Sequence, residues 1–230
     1  MELIRFENLS LRYGNRVLFK DLNFSIYEGD YFCIAGENGS GKTTLMNAIL
    51  GMKEPAEGKI TISKDLKNGI GYLPQQKSLQ KDFPASVYEV VISGFQKKRG
   101  FRPFYNNKEK EIADNNMKRL GILDIKKQCF SELSGGQQQR VLISRALCAT
   151  DKIILLDEPV TGLDKETTEE MYKIINELND AGVTIVMISH DASATIRYAS
   201  RVLHLGNKVF IGTNEDYKNY IRGDKQWAPS

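Results

Sequence analysis

An α/β fold with a mainly parallel sheet follows from three observations. "YFCIAG" (Tyr31–Gly36), "KIILLDE" (Lys152–Glu158) and "VTIVMIS" (Val183–Ser189) are nearly continuous apolar runs, the pattern of strands buried on both faces. Helical stretches separate them, notably Lys42–Leu50 and the amphipathic "KETTEEMYKIINELNDAG". Such alternation of strand and helix is how a parallel sheet reads in sequence. The first run also ends in a glycine-rich turn that opens directly onto a helix.

Taken in chain order, the first thirty residues and "GKITIS" (Gly58–Ser63) show short alternating patterns broken by Gly, Asn and Asp. They predict antiparallel strands, hence a small β subdomain at the N-terminal side. From about Ser78 to Thr150 the character changes. "SVYEVVISGF", "NKEKEIADNNMKRLGI" and "SGGQQQRVLISRALCA" read as helices with no strong strand signal between them, which predicts an inserted helical subdomain. The expected division is therefore residues 1–77 with 151–213 as the α/β core, 78–150 as the helical insertion, and 214–230 as a short polar tail with one tryptophan. Within the insertion, "FQKKRGFRPFYNNK" is basic and aromatic; a solvated loop is the favoured reading over a contact with a partner or with lipid headgroups.

Bulk properties exclude several classes. The chain has 230 residues, 41% hydrophobic and 27% charged, with a net charge of +3. That charge is too small, and too evenly mixed with acids, for a nucleic-acid binder. The apolar runs are far shorter than the roughly 20 residues of a membrane span. No basic, apolar leader precedes Met1–Phe6, so no signal peptide is expected. Cys33, Cys129 and Cys148 are unclustered and read as reduced thiols. With His190 and His204 as the two histidines, an intrinsic transition-metal site is not expected. A cytosolic protein is predicted.

"GENGSGKTT" comprises Gly36, Glu37, Asn38, Gly39, Ser40, Gly41, Lys42, Thr43 and Thr44. It fits G-x-x-x-x-G-K-[ST] between a buried strand and a helix, the context that identifies a phosphate-binding loop. Its glycines let backbone N–H groups close around phosphate oxygens, and the following helix adds roughly half a positive charge. Lys42 is expected to reach the β- and γ-phosphates, and the Thr43 hydroxyl to sit on Mg²⁺. "IILLDE" puts Asp157 and Glu158 at the C-terminal end of a buried strand, where open α/β sheets hold ligands. Asp157 is expected to hold Mg²⁺ through its water shell and Glu158 to act as general base toward an attacking water; the competing reading makes both acids helix caps. His190 ends the next apolar run and is placed to hydrogen-bond a γ-phosphate. Gln75, after a strand in "GYLPQQ", has an amide suited either to Mg²⁺ or to the attacking water. A second glycine turn, "LSGGQQQR" (Leu133–Arg140), heads another helix, and a helix N-terminus of this kind is an anion site.

In this order the motifs closely resemble the ATPase subunit of an ABC transporter, over residues 1–215. They supply Walker A ("GENGSGKTT"), the Q-loop (Gln75), the signature "LSGGQ", Walker B ("IILLDE"), the D-loop "TGLD" and the switch histidine His190. The resemblance implies ATP and Mg²⁺ as cofactors. It implies a head-to-tail dimer with a second copy of the chain, in which Ser134, Gly135, Gly136 and Gln137 of one copy meet the γ-phosphate held by Gly36–Thr44 of the other. Tyr13 in "LRYGN" matches the aromatic that stacks on adenine, against the alternative of a buried strand tyrosine. "TGLD" departs from the commoner "SALD", which leaves the contact of Asp164 across the dimer open. The resemblance also implies transmembrane permease subunits as partners, and a place on the inner face of the membrane. "KSLQKDFPASVYEVVISGF" is similar to the zinc and manganese branch of bacterial importers. That branch adds an extracytoplasmic metal-binding protein, with zinc expected ahead of manganese. An exporter ATPase is the alternative, followed by a soluble ABC protein.

Overall fold

The computed structural model describes residues 1–66, 69–75, 84–96, 102–206 and 208–223. Its contacts divide the chain into two compact units, Met1–Leu66 with Thr184–Ser230, and Lys67–Val183.

In the first unit, β1 (Glu2–Tyr13) pairs antiparallel with β2 (Arg16–Tyr27) and β4 (Glu57–Ile62). Alternation along β1 sends Ile4 and Phe6 and, beyond a shift in register, Leu9 and Leu11 into the core, as a half-buried strand requires. Asn8 at φ 48 marks a shift in register. Phe6 stacks on Phe24 at 4.0 Å and Phe24 on Phe32 at 5.5 Å, which ties this sheet to β3 (Tyr31–Gly36). There β3 runs parallel to β7 (Thr184–Ile188) on one side and to β8 (Arg201–Leu205) on the other. The sandwiched position explains its continuous apolar sequence. β9 (Phe210–Thr213) closes the edge antiparallel to β8.

The segment expected to be a polar tail begins with a helix, Asn214–Arg222, opened by a capping box between Thr213 and Asp216. Tyr217 anchors it, buried beside Phe210 and His204. The tryptophan lies outside the described residues.

In the second unit, β5 (Gly71–Leu73) and β6 (Ile153–Asp157) form a parallel pair. The helices Val87–Ile92, Asn107–Arg119 and Lys165–Asp180 gather around a central helix, Gly135–Ala149. Between residues 84 and 150 the described strand pairing is a single bridge, Ser86 to Cys129. "DFP" falls mostly outside the described residues, as do residues 97–101 of the basic segment; from Arg102 onward that segment is tied down by an ion pair of Arg102 with the buried Glu109 at 2.7 Å. Among the described residues, no helix is long and apolar enough to cross a membrane.

Candidate functional site

The first unit holds the glycine-rich loop. Gly36, Gly39 and Gly41 have φ of 134°, 78° and 104°, a region that side chains with a Cβ rarely enter. At Gly36 the demand is also steric: a Cβ would come within 2.1 Å of the Leu205 carbonyl oxygen on β8. Lys42 is buried at 5% exposure. Its Nζ donates to the Gly36 and Glu37 carbonyl oxygens, both at 2.8 Å, so the ammonium is folded into the loop. The Ser40 hydroxyl is buried without a hydrogen-bond partner, and an anionic oxygen in the loop would satisfy it. Glu37, Asn38, Gly39 and Thr43 are exposed and Thr44 half-buried.

His190 follows β7 and is exposed. It lines a cavity of about 170 Å³ together with Gly36, Glu37, Ser189, His204 and Tyr217, so the first loop and His190 share one opening. Burial holds the His204 imidazole below the ordinary histidine range; Glu37 opposes this and Lys42 adds to it. Tyr13, at the end of β1, is 75% exposed. It is therefore no buried strand tyrosine, and its ring is available for stacking.

The second unit holds the acids and the signature. Asp157 ends β6 at 1% exposure. Glu158 follows at φ 51, a conformation that costs a non-glycine residue about 1–3 kcal/mol and that clusters at functional sites. Gln75 Nε2 donates to Glu158 Oε2 at 2.6 Å, and Thr161 Oγ1 donates to the same oxygen at 3.2 Å. The helix-cap reading of the paired acids fails, because the next helix starts at Lys165 and is capped by Asp164. The Asp164 carboxylate accepts from Thr167 N at 2.9 Å and from Thr167 Oγ1 at 2.7 Å. These bonds, the hydroxyl's first, hold its pKa below the usual range.

Ser134 caps the helix Gly135–Ala149 through a capping box. Ser134 N donates to Gln137 Oε1 at 3.0 Å and Gln137 N donates to Ser134 Oγ at 3.3 Å. Ser134 and Gly135 are exposed while Gly136 is buried. A Cβ on Gly136 would lie 2.4 Å from Thr167 Cγ2, and one on Gly135 would lie 3.2 Å from Leu163. Gly135 and Gly136 thus allow the two helix starts to touch, bringing "LSGGQ" against "TGLD" and Thr167.

Charge singles out the same two helices. Among the described α-helices, all but two start from an acidic cap or carry an acid in the first turn. The exceptions are Lys42–Ile49 and Gly135–Ala149. An acid there would neutralise the helix dipole; its omission leaves both N-termini electropositive toward an incoming anion.

Thr161 and Thr167 were not singled out in sequence, although both lie within or just beyond "TGLD". The available signal was a hydroxyl three residues after each of two acids, the spacing at which a turn closes.

Comparison with known proteins adds an independent finding. The family model for ABC transporters matches residues 19–161. The zinc uptake system ATP-binding protein ZurA of Listeria monocytogenes is 34% identical over 229 residues, covering 96% of this chain and 89% of that protein. The manganese transport system ATP-binding protein MntB of Bacillus subtilis is 34% identical over 219 residues, covering 93% and 87%. Among solved structures, an ATP-binding cassette of an ABC transporter in its ADP conformation aligns with a TM-score of 0.83 at 26% identity, over 98% of this chain and 96% of that one.

Proposed function

The chain belongs to the ABC transporter family as an ATP-binding ATPase subunit, and from that premise we propose that it powers a metal-ion importer, zinc ahead of manganese. The observation that carries the ATPase reading is the first loop: left-handed glycines, a buried lysine folded onto the loop carbonyls, and a buried serine hydroxyl lacking a partner. The names of the relatives, zinc uptake and manganese transport, support metal import over the exporter alternative.

In the proposed reaction the N–H groups of Gly36–Thr44 wrap the phosphates, and Lys42 exchanges its two carbonyl partners for phosphate oxygens. Tyr13 stacks on adenine. Thr43 and Gln75 are the proposed ligands of Mg²⁺, with Asp157 holding it through its water shell, and hydroxyl, amide and water oxygens form the hard donor set that this ion takes. Bound there, Mg²⁺ supplies charge neutralisation to the β- and γ-phosphates. Glu158 accepts the proton of the attacking water, and His190 hydrogen-bonds the γ-phosphate. Ser134, Gly135, Gly136 and Gln137 complete the site of a second copy in a head-to-tail dimer, with Asp164 and its loop beside that junction. The proposed domain roles follow: residues 1–77 and 151–213 do the chemistry, and 78–150 meet the permease on the cytoplasmic face of the membrane. An extracytoplasmic metal-binding protein delivers the ion. Nucleic acid is not a partner.

The test is MgATP turnover by the chain alone and with its co-expressed permease in vesicles, supplied with zinc-loaded or manganese-loaded binding protein. Stimulation by the zinc-loaded protein is expected. Equal turnover with and without either loaded protein would remove the importer assignment, while absence of any turnover would remove the ATPase assignment.

A further inference from the structure

Glu158 Oε2 has two donors from different origins. Gln75 comes from the segment after β5, whereas Thr161 lies three residues beyond the acid in the same turn. That turn is closed by Thr161 N donating to the Glu158 carbonyl oxygen at 3.3 Å. The backbone that sets Glu158 at its left-handed φ therefore also sets the hydroxyl that holds its carboxylate. Gln75 has a second engagement in the proposed cycle, its Oε1 toward Mg²⁺ or its amide toward water, so its hold on Glu158 is shared with another task. The Thr161 hydroxyl has no such competing task.

We propose that Thr161 is a positioning residue for the general base. Its hydroxyl keeps the Glu158 carboxylate in a single orientation while the Gln75 side chain is drawn toward Mg²⁺ or water. A flexible glutamate has three side-chain torsions to fix, and a base displaced by an ångström loses much of its rate advantage. The next residues brace this turn. Leu163 packs toward Gly135, and Asp164 is fixed by Thr167, so Thr161 sits on a tethered segment. Because Thr161 does not itself meet nucleotide in this scheme, its loss affects the chemical step and leaves ATP affinity alone. The assignment rests on the ATPase reading and adds to it the device that aims the base.

Steady-state MgATP turnover of the full chain tests it with three variants. Thr161→Val keeps the shape and removes the hydroxyl; about a tenfold fall in kcat with unchanged KM is expected. Thr161→Ser keeps the donor and is expected to stay within about twofold of wild type. Thr161→Ala, at this exposed position, repeats the valine result without a β-branched side chain. Wild-type kcat in Thr161→Val, equal losses in the valine and serine variants, or a change confined to KM would each overturn the assignment. A wild-type chain without turnover would defeat the ATPase reading, and this assignment with it.

Discussion

The helix Lys42–Ile49 starts from a left-handed glycine with no side-chain cap, and its first residue is a lysine folded back into the loop. The helix Gly135–Ala149 starts from an extended serine in a capping box and has no cation among its first four residues. Both present an electropositive end free of acids, yet their local bonding differs. In the first, the groups that would hold an anion are a buried ammonium folded onto two loop carbonyls and a buried hydroxyl without a hydrogen-bond partner. In the second, the cap side chains already satisfy each other within the chain. A helix terminus alone offers about half a charge, to which the first start adds the Lys42 ammonium and the second adds no cation. In the proposed dimer, one glycine turn captures a nucleotide and the other closes over a nucleotide brought by a second copy, which is why one chain would carry both.

The largest expected effect falls on the capturing end. Lys42→Ala removes its one side-chain cation, and a loss on the order of 10²–10³-fold in MgATP turnover is expected, with an unchanged circular dichroism spectrum. Near-normal turnover in a folded variant would remove the phosphate-binding role from the first loop.

Glu158→Gln tests the closing end. The amide is nearly isosteric but cannot take the proton, so turnover should fall on the order of 10²-fold while an ATP-dependent dimer accumulates, read by size-exclusion chromatography with light scattering. Adding bulky replacements at Ser134 and Gly135 should abolish that dimer. A dimer indifferent to them would take the signature out of the shared site.

A smaller effect is expected at Tyr13. Stacking on a base contributes about 1–3 kcal/mol, so Tyr13→Ala should raise the KM for ATP about tenfold with kcat nearly unchanged. An unaltered KM would detach the exposed ring from adenine. The smallest effect concerns stability. Ser134→Ala removes a side-chain cap, for which about 1 kcal/mol is expected, measured as a lower urea midpoint. No corresponding loss is available at Gly41, which has no side chain to cap with; an unchanged midpoint for Ser134→Ala would make the two helix starts alike after all.

What was legible in sequence was whatever burial or backbone geometry writes into residue type. The strand Tyr31–Gly36 was read to its ends because β7 and β8 cover both its edges and its apolar run is unbroken. The glycines of the first loop were legible because their φ values exclude side chains. Thr161 escaped because a hydroxyl closing a turn on its own third neighbour leaves no periodicity. The helix Asn214–Arg222 escaped because it is charge-rich and buries Tyr217 alone, so its apolar stripe is one residue wide. The junction of Gly136 with Thr167 depends on tertiary packing between two helix starts, which neither local pattern encodes.

The pairing of β3 with β7 and β8 has a consequence for how the protein is made. The strand that carries the first glycine loop is complete by Gly36, but its two neighbours begin at Thr184 and Arg201, and the carbonyl beneath Gly36 belongs to Leu205. At about 5–20 residues per second, a ribosome needs on the order of ten seconds or more between the loop and its supports. Through that interval the apolar strand has no sheet to join and the loop no floor. A ribosome that stalls before Leu205 thus releases a fragment that carries the residues from Gly36 to His190 without the carbonyl on which the loop rests.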